Sequence, residues 1–330
     1  MSVPNHNGGG SGPLVVTGAG GFIGGWVLHR LRGREIRVRA LIGPPGTLVP
    51  RLPGVDTAVA AGIDDLDALT GLMAGARAVI HMAGPPSVAA SFGSPASYAR
   101  DHVAGTATIL KAMELTGVKR LVHVSSAEVY GVPLSNPVPE DHPNRPRSPY
   151  GAAKLGAEAF INACAPAYGI DAAILRPFSV YGPGSPSRSL VGQVLGQVLV
   201  GGGVRVADPR PVRDYCFVGD VADAIVSACV DCSRTDGLGG AGAINIASGT
   251  GVSVAGLAGL ALDIAGRNPS DLQVGAPDRP AGTDILELVA DTERARRVLG
   301  WSSRTGLREG LTRTMDWLRG REDGESPSAF

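Results

Sequence analysis

The chain has 330 residues, 44% hydrophobic and 18% charged, with 30 basic and 30 acidic side chains and no net charge. That balance excludes a basic nucleic-acid footprint and a polybasic membrane surface, and no stretch approaches the roughly 18 apolar residues of a membrane span. The length suits one large domain or a main domain with a smaller partner, and residues 1–13 lack the charged start and apolar middle of a signal peptide, so a cytoplasmic protein is expected.

In chain order, residues 14–16 are a short apolar run, read as a buried parallel strand. Gly18, Gly20, Gly21 and Gly24 follow, and Ile23, Val27, Leu28 and Leu31 recur at helical spacing behind them. Strand, glycine turn and helix open a doubly wound dinucleotide-binding fold. Glycines let the backbone approach a pyrophosphate, and the helix N-terminus offers it free N–H groups. The spacing is Gly-x-x-Gly-x-x-Gly with Gly20 extra, so Gly18, Gly20, Gly21, Phe22, Ile23 and Gly24 form the candidate cofactor loop. Residues 38–42 are the second strand, whose end reads the adenosine ribose: an acid there favours NAD and an arginine NADP. Gly43, Pro44 and Pro45 stand at that place and carry neither sign. Arg39 and Arg51 are near enough to meet a phosphate, or are simply solvated.

Residues 55–61 suggest a third strand, and Asp64, Asp65 and Asp67 read as a helix cap with first-turn charges. Strand 78–81 ends in His81-Met82-Ala83-Gly84, where His81 either faces a cofactor or is a hydrogen-bonded strand-end histidine. A helix is predicted over 101–116 and a strand over 121–124, leading into Ser125-Ser126-Ala127-Glu128. The loop 132–149 carries six prolines and should be irregular. In the next helix Tyr150 and Lys154 are four apart and share a face. Strand 172–175 completes an alternation that implies a parallel sheet with right-handed crossovers. Beyond Gly184 the rhythm loosens. Helices are expected over 190–200, 220–230, 254–265, 291–299 and 305–318, with strands at 204–206 and 243–246 and an apolar run at 216–218, the later part forming a smaller, helix-rich α/β cap. The chain is thus divided into a tail at 1–13, a cofactor domain at 14–183 to which 213–249 returns, a substrate domain at 184–212 and 250–320, and a tail at 321–330. Cys229 and Cys232 form a Cys-x-x-Cys without a second ligand pair, so no metal is expected and the thiols are read as structural.

A tyrosine and a lysine on one helix turn, with a serine from a neighbouring strand end, can move a proton at a carbinol carbon. Lys154 as a cation is expected to lower the pKa of Tyr150, making it a general base, while Ser126 holds the same substrate oxygen. A nicotinamide opposite would take the hydride.

Over residues 14–318 the chain resembles the extended short-chain dehydrogenase/reductases of the nucleotide-sugar epimerase and dehydratase family. The resemblance rests on Thr17-Gly-x-x-Gly-x-x-Gly24, His81-Met-Ala-Gly84, Ser125-Ser-Ala-Glu-Val-Tyr-Gly131, Tyr150-x-x-x-Lys154, Arg176-Pro-Phe-Ser-Val-Tyr-Gly182, Arg213-Asp214 and Asp278-Arg279-Pro280. It implies a doubly wound Rossmann fold, with NAD as cofactor and NADP compatible, held by residues 18–24, Gly62, Ile63, Met82, Ala83, Gly84, Tyr150, Lys154 and Pro177. It implies a nucleoside diphosphate sugar as substrate, met by Ser125, Ser126, Ser179, Arg213 and Arg279, the two arginines on the diphosphate. It also implies a homodimer through helices 101–116 and 150–168. Four positions depart from the family pattern: Gly43 replaces the ribose-reading acid, Gly62 an adenine-contacting Asp, His102 an Asn, and Ser179 an Asn that meets the sugar nucleotide. The family's 4,6-dehydratases carry an Asp-Glu pair after the hydroxyl residue, and here the pair is Ala127-Glu128, which removes the acid for water loss. Glu128 is either a second base or a hydrogen-bonded carboxylate. The expected reaction is 4-epimerisation of a nucleoside diphosphate hexose through a 4-ketosugar. The alternatives are a 4-ketoreductase consuming NAD(P)H, a dehydratase or decarboxylase using Glu128, and a non-enzymatic cofactor sensor.

Overall fold

The alternating apolar runs and helical spacings fold into a parallel sheet, in a computed structural model that describes residues 12–47, 52, 54–201, 203–231, 242–268, 271–275 and 285–322. Of the expected tails at 1–13 and 321–330, residues 1–11 and 323–330 lie outside those residues, as do Arg51, Cys232 and the stretch containing Arg279.

The chain begins with β1 (Leu14–Thr17), α1 (Phe22–Arg32), β2 (Val38–Leu41), β3 (Thr57–Val59), α2 (Leu66–Met73) and β4 (Ala78–His81). Two short helices follow, α3 (Val88–Ser91) and α4 (Pro95–Tyr98). A π-helical turn, Ala99–Ala104, then leads into α5 (Gly105–Thr116). The helix expected over 101–116 therefore starts earlier, because Pro95 pre-sets the first turn of α4 and the chain stays helical from there. Next come β5 (Arg120–Val124), α6 (Pro149–Tyr168) and β6 (Asp171–Pro177).

The second half holds β7 (Ser179–Tyr181), α7 (Leu190–Val200), β8 (Val204–Val206), β9 (Val212–Phe217), α8 (Val218–Val226) and β10 (Ala243–Ile246). After these come β11 (Gly251–Ser253), α9 (Val254–Ile264), β12 (Leu272–Val274), β13 (Glu287–Leu288), α10 (Glu293–Leu299) and α11 (Leu307–Glu322). Strands β7, β11, β12 and β13 are additional to the expected elements. At two or three residues each they are too short to show a period of two.

Seven parallel strands form the main sheet, in the order β10-β6-β5-β4-β1-β2-β3. Its two faces are apolar, as a sheet covered on both sides must be. One face packs a core of Val15, Leu69, Met73, Val79, Ile109, Met113 and Ile161 under α2, α5 and α6. The other packs Val16, Val27, Leu31, Ile80 and Leu175 with α8, and that core runs on without a break into α7, α9 and α11. A second sheet groups β7, β11 and β13 around β9, and β8 pairs with β12. Asp65 caps α2 through Ala68 N at 2.9 Å, as its place in the sequence suggests.

Two buried carboxylates tie the second half together. Asp214 accepts from Ser248 N and Oγ, Gly249 N and Ala290 N at 2.6–3.3 Å. Asp220 accepts from Ser303 Oγ, Arg304 N, Thr305 N and Thr305 Oγ1 at 2.8–3.1 Å, and its carbonyl accepts from Trp301 Nε1. Asp220→Ala strands two backbone donors and two hydroxyls, so a loss of about 2–4 kcal/mol is expected. Denaturant unfolding checks it, and a loss below about 0.5 kcal/mol would show that water replaces the carboxylate.

Candidate active site

The candidate residues gather at the C-terminal ends of β1, β4, β5 and β6, which are neighbours in the sheet. The strand order reverses between β4 and β1, and this is where open parallel sheets bind ligands. The glycine turn fits a dinucleotide. Gly18 has a φ of +73°, and a Cβ on it would lie 2.8 Å from Ala83 N and Met82 C. The β1–α1 turn is thus pressed against the end of β4. Thr17 Oγ1 joins the same two segments by accepting from Met82 N and Ala83 N, each at 3.3 Å. A Cβ on Gly24 would strike the carbonyl oxygens of Gly18 and Ala19, so only glycine lets α1 sit this close to β1. Helix α1 begins at Phe22 with Gly21 at its cap position, no side-chain cap and no first-turn acid, which leaves its opening N–H groups for an anion. Gly20 and Gly21 are exposed at the turn and Ile23 is half-buried.

Gly43, at the end of β2, has a φ of +90° and is bridged to Ala61, which places Gly62 and Ile63 beside it. Ile63 packs where a Cβ on Gly105 would stand. Arg39 does not reach for a phosphate: its Nη1 donates to the carbonyls of Leu72 and Ala74, at 2.9 and 2.7 Å, satisfying the end of α2. His81 is the hydrogen-bonded alternative. Thr106 Oγ1 donates to the His102 carbonyl at 2.6 Å, so His81 Nε2 must donate to Thr106 at 3.1 Å and His81 Nδ1 must accept from Thr17 at 2.8 Å. Burial, helped by the Lys154 charge, lowers its pKa to about 3 and keeps it neutral.

Ser126, Tyr150 and Lys154 come together. Ser148 caps α6 through Gly151 N at 3.1 Å and Pro149 opens it, fixing the helix one residue before Tyr150. A Cβ on Gly151 would lie 2.6 Å from the Glu128 carbonyl, so the glycine lets the 3₁₀ turn Ala127–Val129 rest on α6. That turn starts at Ser126, whose hydroxyl accepts from Glu128 N at 3.2 Å and is close enough to Tyr150 to favour its ionised form. Lys154 Nζ donates to the Val124 carbonyl at 2.9 Å and lies 6.0 Å from the Tyr150 ring centroid.

The electrostatics differ from the expected picture. Tyr150 is not pulled down by Lys154. Burial raises its pKa to about 12, outweighing the Ser126 hydroxyl, and the Glu128 and Tyr98 charges add to the rise. Lys154 is itself lowered to about 8 by burial, with Glu158 opposing. Desolvation of both groups is the larger effect here.

His102 replaces the family's Asn on the π-helical turn and is 2% exposed. Its ring meets Tyr150 edge-on at 5.6 Å and Tyr98 at 5.9 Å, and Nε2 lies 3.1 Å from the Pro85 carbonyl. It fills the space beside Gly84, whose φ is +128° and whose Cβ would collide with the ring. Burial lowers its pKa to about 3. Ser125 turns the other way from Ser126 and donates to Glu158 at 2.5 Å, so its hydroxyl is spent in the interior. Pro177 ends β6, and Ser179 and Arg213 lie half-buried on neighbouring strands β7 and β9. Glu158 and Arg176 escaped the sequence reading as site residues. The available signal was an ionisable residue four beyond Lys154 on a face that has to be buried. Among the described residues no cluster of metal-ligating side chains occurs, and no helix is long and apolar enough to cross a membrane.

A doubly wound sheet carrying a glycine turn, with Ser126, Tyr150 and Lys154 at the adjoining strand ends, has the layout of an extended short-chain dehydrogenase/reductase. The family model described as NAD dependent epimerase/dehydratase matches residues 14–247. The UDP-glucose 4-epimerase of Mycolicibacterium smegmatis is 34% identical over 325 residues, covering 93% of this chain and 98% of that protein. The dTDP-glucose 4,6-dehydratase of Streptomyces antibioticus is 33% identical over 331 residues, covering 93% and 92%. The solved structure of MoeE5 in complex with UDP-glucuronic acid and NAD is 30% identical with a TM-score of 0.83, covering 94% of this chain and all of that one. The chain belongs to the NAD-dependent epimerase/dehydratase family and is an enzyme of that family.

Proposed function

We propose that the protein is a 4-epimerase of nucleoside diphosphate hexoses. The observation that carries this reading over dehydration is the Ser126, Tyr150 and Lys154 cluster with apolar Ala127, 4% exposed, beside it. The trio can remove and return a proton on a sugar hydroxyl, while position 127 offers no acid to a departing hydroxyl. NAD is held by Gly18 to Gly24, Gly62, Ile63, Met82 to Gly84 and Pro177. When bound, its nicotinamide supplies reversible hydride acceptance.

The protein's own groups do the rest. Ser126 orients the C4 hydroxyl and Tyr150 shares its proton. Tyr150 can take that proton only as its phenolate, and with the phenol raised to about 12 its own proton must first leave to solvent. The C4 hydroxyl becomes far more acidic as the carbon is oxidised, so its proton then passes to that phenolate in step with oxidation. The Lys154 ammonium stabilises the phenolate that forms, because opposite charges in a dry site attract strongly. On return the same phenol donates the proton to the other epimer's oxygen. Ser179 and Arg213 meet the sugar nucleotide, and Arg279 shares the diphosphate with Arg213. Glu128 acts on the Tyr150 phenol by its charge. The protomer pairs with a second copy through α5 and α6, whose outer faces show Leu115 and Phe160, and works in the cytoplasm.

Incubation of the purified protein with UDP-glucose and with dTDP-glucose, without added cofactor, tests this. Appearance of the 4-epimer by NMR supports it, as does NAD released on denaturation. Consumption of NADPH with a 4-ketosugar nucleotide and no epimerisation would assign a reductase instead. A 4-keto-6-deoxy product would assign a dehydratase.

A further inference from the structure

Glu158 stands four residues beyond Lys154, as Lys154 stands four beyond Tyr150, so all three share one face of α6. Glu158 and Arg176 are 2% and 4% exposed. The carboxylate accepts from Ser125 Oγ at 2.5 Å, from Arg176 Nε at 3.0 Å and from Arg176 Nη2 at 2.6 Å. Arg176 is fixed in turn, its Nη1 donating to the Glu140 carbonyl at 3.3 Å and its guanidinium lying 4.8 Å from the Tyr130 ring centroid. The end of β5 is therefore stitched to α6 twice in succession, by Lys154 donating to Val124 and by Ser125 donating to Glu158. Ser126 is the next residue. A buried ion pair is often no more stabilising than an apolar pair of similar volume, so stability alone does not account for this one.

We propose that Glu158 is a positioning residue for the reaction, acting through Ser126 and Lys154: it holds the end of β5 so that both face Tyr150, and it keeps a negative charge one helical turn from the ammonium. The inference rests on the Ser126, Tyr150 and Lys154 reading given above. The other ionisable groups around Lys154 are Tyr150 on α6, His102 on the π-helical turn, His81 on β4 and His123 on β5. Burial keeps all three imidazoles neutral. Arg176 faces Glu158 from β6, Tyr130 and Glu140 lie behind it, and Glu128 faces Tyr150. Burial lowers the Lys154 pKa to about 8 while Glu158 opposes it. Removing the carboxylate charge therefore lets Lys154 lose its proton at lower pH.

The test is the pH profile of kcat for the full chain, with whichever of UDP-glucose and dTDP-glucose turns over, beside thermal melting and NAD content. Glu158→Gln is expected to lower kcat about tenfold near pH 8, with KM changed by less than about twofold, and to move the basic limb down by about one pH unit. Glu158→Asp, which keeps the charge, should leave the limb in place, and Ser125→Ala should lower kcat without moving it. If Glu158→Gln does not fold, the double change Glu158→Gln with Arg176→Gln leaves neither charge buried alone, and should move the limb the same way. An unmoved limb in a folded protein carrying either change overturns the proposal. A fully active Tyr150→Phe would instead overturn the reading beneath it.

Discussion

Tyr150→Phe is expected to lower kcat by about two to four orders of magnitude while the protein keeps its NAD. The substitution removes one oxygen and little else. Both ring contacts, with Tyr98 at 6.2 Å and His102 at 5.6 Å, are edge-on and are available to phenylalanine. The cofactor turn at Gly18 and Gly24 is built from other segments. What is lost is the proton carrier between Ser126 and the sugar. Because the phenol is raised to about 12, it is protonated in the resting enzyme at any working pH. The activity should therefore be limited on the alkaline side by Lys154, near 8, and not by Tyr150. Steady-state kinetics beside NAD content per chain checks this. Undiminished turnover would remove Tyr150 from the chemistry, and joint loss of turnover and NAD would point to a collapsed site.

Gly24→Ala is the second large effect. The added Cβ would meet the Gly18 carbonyl oxygen at far less than contact distance, and Ala19 O and C at 2.7 and 2.9 Å. All are backbone atoms of the turn and cannot rotate aside. Helix α1 must therefore lift from β1, at a cost of about 1–3 kcal/mol of overpacking. It also carries away the N–H groups that an anion would use. NAD content is expected to fall by more than about tenfold, with melting lowered by a few degrees. Gly71→Ala is the control: this exposed glycine in α2 has nothing within 4 Å of the added carbon, and a helical alanine there should be neutral or slightly stabilising. Full NAD content in Gly24→Ala would mean that the turn does not hold the dinucleotide.

The parts of this molecule legible in its sequence are those written locally. Val16 to Gly24 is readable because a buried strand, a turn that demands glycine and a helix each leave their own mark within a few residues. Tyr150 and Lys154 are readable for the same reason, one helical turn being a fixed spacing. What could not be read is long-range or electrostatic. Asp220 binds residues 83 to 85 positions further on, and no local pattern marks a carboxylate for that role. Arg39 carries a charge suited to a phosphate yet serves the carbonyls of α2, a choice made by packing. The direction of the Tyr150 pKa is not legible, because sequence shows a neighbouring ammonium and hides the burial of both groups. Nothing local marks Glu158, because its partners, Ser125 and Arg176, lie at the end of β5 and on β6.

The most direct measurement follows a deuterium label placed at C4 of UDP-glucose and of dTDP-glucose, with the product examined by NMR. If Tyr150 and Ser126 serve a transient oxidation at C4, the deuterium remains at C4 in both epimers and none is lost to water. Deuterium found at C6, or washed into solvent, would contradict the account.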